Sequence, residues 1–125
     1  MRSSLGPILV AAFIGTSTAA SAQTMNAETF FQRASALQRK GPLALFSSDV
    51  SQLMAEGKAA GQKSREQRQA AIAAGEKPRF CPPPGKVGIG SNEFMQRLGA
   101  IPAAQRRTID MTEATTRILA AKFPC

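Results

Sequence analysis

Apolar residues recur at helical spacing in the first half of the chain and predict two helices separated by a short turn. The first helix is expected to run from Ala27 to about Lys40, with Asn26 as its N-terminal cap and Gly41 and Pro42 at its end. Its apolar stripe consists of Phe30, Phe31, Ala34 and Leu37. This face is predicted to point into the core.

The second predicted helix is long, and its apolar stripe changes character halfway along. It is expected from Asp49 towards Ala74, capped by Ser47 or Ser48 after a short turn over residues 43–46 and ended by Gly75. Its buried face is marked by Val50, Leu53, Met54 and Gly57. Further on the stripe thins to alanine, glycine and serine. This half of the helix therefore either projects into solvent or packs very closely on another backbone.

The last part of the chain predicts two more helices separated by a proline-containing break. One helix starts at Ser91 or Asn92 and is interrupted at residues 101–102, before a short segment leads to the other. Asp110 and Glu113 have the spacing of a capping box at the start of the last helix. The expected inward positions of the two helices are Phe94, Met95 and Leu98, then Ala114, Ile118 and Leu119.

Composition supports a thin, helical core. The chain has no tryptophan and no tyrosine, and it is rich in alanine with few β-branched runs. Leu, Ile, Met, Phe and Ala must therefore fill the interior. We expect a small all-α domain of about four to five helices with one disulfide, spanning residues 23–125 without an internal linker.

The first 22 residues have the order of a secretion signal. Arg2 precedes an apolar run over residues 5–14, and the small residues Ala20, Ser21 and Ala22 form a cleavage site before Gln23. We expect cleavage after Ala22 and export of the mature domain. No later stretch approaches the 18 or more continuous apolar residues of a transmembrane helix, so the mature chain is expected to lack one.

Export changes the expected chemistry of the two cysteines. Cys81 opens the segment Cys-Pro-Pro-Pro-Gly, and Cys125 ends the segment Phe-Pro-Cys. An oxidising compartment favours a single Cys81–Cys125 disulfide over free thiols, because neither thiol has another cysteine to pair with and the chain has no histidine for a mixed metal site.

The search for catalytic groups mostly yields exclusions. Without histidine, no Ser-His or Cys-His pair and no histidine metal ligand can form, and no serine has a lysine three residues later. Asp110 and Glu113 are explained more simply as caps than as an acid/base pair. The glycines of residues 85–90 are interpreted as turn residues, since a Walker Lys-Ser/Thr ending is missing. We expect no enzymatic activity, no cofactor and no metal site.

The charge pattern suggests a surface for anionic partners. The formal net charge is +8 at pH 7, and part of it lies along the weakly apolar helix and the loop beyond, where Lys58, Lys63, Arg65, Arg68, Lys77 and Arg79 are found. Cell-wall polymers, anionic lipid surfaces and acidic proteins are the partners available outside the cytoplasm. Nucleic acid is not expected, because the basic stretch lacks stacking aromatics. A solvated helix face explains the same charges equally well.

The C-terminal third of the chain resembles the resistance-associated and type VI amidase immunity (Rap/Tai) family. The resemblance rests on the order of a Cys-Pro-Pro-Pro-Gly segment, an extended piece, a helix, a proline-containing break, a second helix and a closing Phe-Pro-Cys. The matching pieces are Cys81–Gly85, Val87–Ile89, Ser91–Ala100, Ile101–Pro102, Met111–Lys122 and Phe123–Cys125. The short helix between the cysteines and the basic stretch depart from the family pattern.

The resemblance implies a mainly helical periplasmic protein with a structural disulfide. Such a protein binds and blocks a peptidoglycan amidase delivered by a type VI secretion system, without catalysis of its own and with a homodimer as an open alternative. Candidate contacts are Lys63, Arg65, Arg68, Lys77, Arg79, Lys86 and Val87. The alternative is a general envelope protein that binds peptidoglycan or another anionic polymer through the basic helix face; an enzyme is the least favoured class.

Overall fold

Helices dominate the computed structural model, which describes residues 24–85 and 88–125. Over these ranges α5 lies against α1, α2 and α3, and α1 also contacts α2, α3 and α4. The described residues form no strand beyond one isolated bridge between Asn26 and Asp110. The expected all-α class is confirmed. The helices are α1 (Ala27–Lys40), α2 (Ser48–Ala73), α3 (Ser91–Ala100), α4 (Ala103–Arg106) and α5 (Met111–Lys122), with a 3-10 segment at Gly41–Phe46.

Local signals set the ends of α1 and α2 as predicted. The Asn26 carboxamide oxygen accepts hydrogen bonds from the backbone N–H groups of Glu28 and Thr29, at 3.0 and 3.1 Å. Ser47 caps α2 by accepting from the N–H of Asp49 at 3.3 Å. Gly75 follows α2 with a φ of 74°, a left-handed conformation that glycine adopts without strain.

Close packing of α2 on α5 decides between the two alternatives for the weakly apolar half of α2. Ala60 and Ser64 are buried, and the Ser64 hydroxyl lies 3.0 Å from the Thr116 hydroxyl and 3.2 Å from the Thr112 carbonyl oxygen. Small residues let the two backbones approach. Nearer its C-terminus α2 does reach solvent, and Ile72 is 49% exposed there.

The core joins α1, α2, α3 and α5. Phe30 of α1 meets Phe94 of α3 edge to face, with ring centroids 6.3 Å apart. The prediction that Met54 is buried is wrong, because its side chain is 70% exposed; the buried line of α2 runs from Leu53 towards α5 and leaves Met54 on another face. The core residues are Ala27, Phe30, Leu37, Leu53, Ala60, Leu98, Met111, Ala114 and Ile118.

A buried arginine connects α4 to the N-terminal part of α1. Arg106 is 6% exposed. Its Nε donates to the Glu28 carboxylate at 2.6 Å, and its guanidinium carbon lies 4.1 Å from the centre of the Phe31 ring. A buried charge requires a partner of opposite sign and saturated hydrogen bonds, and Glu28 supplies the charge.

The same guanidinium also holds the C-terminal end of α3. Its NH1 group donates to the backbone carbonyl oxygens of Leu98 and Gly99, at 3.4 and 3.2 Å, and to that of Ile101. The last carbonyls of a helix have no partner within the helix, and they attract a cation. Arg106 therefore fixes the end of α3 relative to α1.

The predicted disulfide is confirmed and closes the C-terminal end of the fold. Cys81 and Cys125 are bonded, with their Cα atoms 4.9 Å apart. The Cys81 N–H also donates to the Phe123 carbonyl oxygen at 2.8 Å. The loop after α2 is thereby fastened to the end of α5.

Some predictions fall outside the described residues. The signal sequence over residues 1–22 lies there, as do Lys86 and Val87. Among the helices that the structure does describe, none has both the length and the apolar character to cross a membrane.

Replacing Cys125 with serine is expected to lower the free energy of unfolding by about 4 kcal/mol, because the unfolded chain regains the entropy of an open loop. Thermal unfolding of wild type and Cys125→Ser measures the change, and wild type in reductant is the matched control. Equal melting temperatures of wild type with and without reductant would contradict the expectation.

Replacing Arg106 with methionine is expected to cost about 3 kcal/mol of stability, because Glu28 and the α3 carbonyls lose their partner. The exposed neighbour Arg107 provides the control, and Arg107→Met is expected to change stability by no more than about 0.5 kcal/mol. Chemical denaturation of both variants gives the two values. Equal losses would show that Arg106 has no special structural role.

Candidate partner-binding surface

The described candidate cations lie on α2 and on the loop that follows it. Lys63 and Arg68 are half-buried on α2, and Arg65 on the same helix is exposed. Lys77 and Arg79 are exposed in the loop. The structure does not bring these five cations together around one cleft, and the contacts of Arg68 and Arg79 are structural.

Arg68 fastens the loop after α2 to the helix itself. Its Nε donates to the carbonyl oxygen of Phe80 at 2.9 Å, and its guanidinium carbon lies 5.8 Å from the centre of the Phe80 ring. Phe80 is only 2% exposed. The contact therefore orders the chain immediately before Cys81.

Arg79 forms an ion pair with Glu113 of α5. Its two terminal nitrogens donate to the two Glu113 carboxylate oxygens at 2.6 and 2.9 Å. The pairing holds the pKa of Glu113 below its usual range and raises the pKa of Arg79. A bidentate guanidinium pair is a strong charge-assisted contact, so Arg79 serves the fold.

The predicted capping box of Asp110 and Glu113 is only half formed. Asp110 does cap α5, since its carboxylate accepts from the Glu113 N–H at 2.9 Å. The Glu113 carboxylate does not complete the box; it binds Arg79 and also accepts from Arg117 Nε at 2.9 Å. Two guanidinium groups compete successfully with one backbone N–H for this carboxylate.

Glu28 and Glu93 have contacts typical of structural ion pairs. Hydrogen bonds from Arg106 lower the pKa of Glu28, and hydrogen bonds from Lys122 and then Arg97 lower that of Glu93. A general acid at neutral pH requires a shift in the opposite direction. Within residues 24–85 and 88–125, no group of three or more potential ligands among His, Cys, Asp and Glu could hold a metal ion.

An apolar surface that was not predicted from the sequence lies on the 3-10 segment and the first part of α2. Leu43, Leu45 and Phe46 of the 3-10 segment are 73%, 78% and 89% exposed, and Met54 of α2 is 70% exposed. These four residues are called the apolar surface below. The sequence feature that indicates this surface is the run Leu-Ala-Leu-Phe. A 3-10 helix has three residues per turn, so successive side chains point in different directions and cannot all be buried.

An open groove of about 940 Å³ adjoins the apolar surface. It lies between α1, the 3-10 segment, α2 and α3, and Leu45 and Met54 belong to both features. Large apolar side chains of the walls are Phe30, Leu37, Val50, Leu53, Phe94 and Met95. The groove is therefore an opening into the core between helices, with exposed hydrophobic residues along one edge.

Comparisons with profiles of protein families, with curated proteins and with solved structures find no significant match to this chain.

Replacing Glu113 with glutamine is expected to destabilise the protein by about 1 kcal/mol at pH 7, because a partly exposed ion pair is lost. The pairing lowers the folded pKa, so its contribution is complete above the unfolded value of about 4.3 and disappears as the pH falls through the folded pKa. The melting temperatures of wild type and Glu113→Gln should therefore converge in acid.

Thermal unfolding between neutral and strongly acidic pH follows this convergence. Glu76→Gln, which removes an exposed carboxylate from the same loop, is the matched control. A gap between wild type and Glu113→Gln that stays constant down to low pH would contradict the role of the ion pair.

Proposed function

We propose that this chain is an exported, non-catalytic binding protein of the immunity type, which binds and blocks a peptidoglycan amidase in the periplasm. The amidase class, its delivery by a type VI secretion system and the periplasmic address come from the resemblance to Rap/Tai proteins. The structure contributes independent support for a protein partner.

The exposed apolar surface is the observation that carries the proposal. Phe46 is 89% exposed and stands beside Leu43 and Leu45, both more than 70% exposed. Soluble domains seldom leave adjacent large hydrophobic residues in water unless a partner covers them. A protein interface combines such an apolar centre with a polar rim, and that is the composition found here.

The C-terminal framework is compatible with the family part of the proposal. The Cys81–Cys125 disulfide, the helix after the Pro-rich segment and the capped helix α5 occur in the order that the resemblance implies. Ile89, two residues beyond Val87 in the sequence, lines the groove. The segment suggested by the resemblance as a contact region is therefore continuous in sequence with the groove wall.

The contacts of the basic residues favour a protein partner over an anionic polymer. A polymer-binding face needs several cations directed towards solvent, whereas Arg68 and Arg79 bind groups of their own chain. Arg65 and Lys77 are exposed and keep the alternative testable. Binding through them alone should be weak and strongly dependent on salt.

The proposal predicts capture and inhibition of a cell-wall amidase that survive about 1 M salt, where the Debye length is only about 3 Å. The full chain is expressed with export and used as bait in periplasmic extracts, and recovered amidases are assayed on peptidoglycan. Phe46→Ser should weaken inhibition by at least about tenfold, because one exposed aromatic anchor is lost.

Two controls separate the surfaces. Ile72→Ser removes an exposed apolar side chain far along α2 and should inhibit like wild type. Arg65→Glu with Lys77→Glu should also inhibit like wild type, although it should weaken any binding of envelope polymer through the basic helix face. Recovery of polymer at low salt, with no amidase at high salt, would reject the proposed function.

A further inference from the structure

The walls of the groove determine which backbone conformation a partner can bring into it. The lining is predominantly apolar, and its polar side chains are Gln38, Lys58, Ser91 and Asn92. The wall backbone belongs largely to helices, and the described residues offer no free strand edge that could pair with an extended peptide. An extended segment would leave its own N–H and C=O groups buried without partners, which is costly.

A helix avoids that cost because its backbone hydrogen bonds are made internally. Recognition of a helix by an apolar groove relies on side chains at positions i, i+3 or i+4, and i+7. The groove offers matching partners in Phe30, Leu53 and Phe94, which reach it from three different helices. Its chemistry therefore fits an amphipathic helix with one apolar face.

The charges around the groove define the flanks of that helix. Lys58 lines the groove and is exposed. Arg39 and Lys40, both exposed in the last turn of α1, lie in sequence between Gln38 and Gly41, which line it. The described lining thus contains one cation, Lys58, and no aspartate or glutamate.

Two carboxylates next to lining residues in sequence, Asp49 and Glu93, are already paired with cations of this chain, whereas Glu56, next to Gly57, accepts from the Met25 N–H at 3.0 Å. Asp49, next to Val50, accepts from Arg33 at 2.8 Å. Glu93, between Asn92 and Phe94, binds Arg97 at 3.0 Å and Lys122 at 2.8 Å. Asp49 and Glu93 therefore do not compete for Lys58, and a lining with one cation and no carboxylate favours acidic partners.

We infer that the groove binds an amphipathic helix of a partner protein, with an apolar face against Leu45, Leu53 and Met54 and a carboxylate opposite Lys58. A second copy of this chain is a poorer occupant, because each copy carries a formal charge of +8 and the same lining cation. The identification of the partner as an amidase rests on the proposed function. The fit of an amphipathic helix to the groove is argued from the groove alone.

A displayed library of helical peptides tests the inference directly. Each peptide has about 18 residues, or five turns, with apolar residues fixed at i, i+4 and i+7 and with Glu, Lys, Gln or Ala at the flanking positions. Selection uses protein purified from cells that express and export the full chain. The selected peptides are then measured by fluorescence anisotropy against variants of the groove.

We expect selected peptides to carry glutamate at the flanks. Their affinity should fall at least about tenfold in Leu45→Ser with Met54→Ser, since apolar burial is lost, and roughly threefold in Lys58→Glu, since the lining charge is reversed. Ile72→Ser, the matched apolar control, should leave the affinity unchanged. Repeating the selection on Lys58→Glu should shift the flanks towards lysine.

Two results of the selection would overturn the inference: no enrichment of any peptide, or enrichment without a preference for glutamate. An affinity that does not change when Leu45 and Met54 are replaced would overturn it as well. So would a wild-type dimer in sedimentation that Leu45→Ser makes monomeric. The last result would assign the groove to a second copy. If the peptide experiments fail but the protein inhibits an amidase, only the helix-binding groove is rejected. If acidic helices bind the groove but no amidase is captured or inhibited, only the proposed function is rejected.

Discussion

The position of α3 depends on the buried guanidinium of Arg106. One side chain pairs with Glu28 of α1, covers the Phe31 ring and hydrogen-bonds the carbonyls at the end of α3. A buried arginine that lost these partners would retain an uncompensated charge, so the contacts are mutually dependent. Since α1 and α3 both contribute walls of the groove, this one interaction helps to fix the shape of the proposed binding site.

The seam between α2 and α5 explains why the groove stays open. Ala60 and Ser64 allow α2 to lie close to Thr116 of α5, and the disulfide fastens the far end of α5 to the loop after α2. This packing occupies the small-residue face of α2 and leaves Met54 beside solvent. Met54 and the exposed residues Leu43, Leu45 and Phe46 are consequently left uncovered by the described part of the chain.

Local chemistry made much of the fold predictable. Caps such as Asn26, Ser47 and Asp110 act within a few residues, so the starts of α1, α2 and α5 could be predicted from short sequence patterns. The disulfide followed from a count of two cysteines in a chain that is expected to be exported. Arg106 could not be predicted in the same way, because its partner Glu28 is 78 residues away in the sequence.

The binding surface was harder to predict for a related reason. The sequence predicts charged residues of α2 and of the following loop as contacts. The roles of Arg68 and Arg79, however, depend on where the loop returns after α2. The exposure of Phe46 and the 70% exposure of Met54 depend on which faces the α2–α5 seam covers. Periodicity identifies an apolar side chain, but only tertiary packing decides whether another element covers it.

Amide hydrogen exchange on the free protein tests most directly whether the groove is formed before a partner binds. The account predicts slow exchange across residues 91–100 in wild type, and fast exchange there in Arg106→Met while residues 60–72 and 111–122 stay protected. Fast exchange of α3 in wild type would contradict a preformed groove. Unchanged protection of α3 in Arg106→Met would contradict the role of this arginine in holding it.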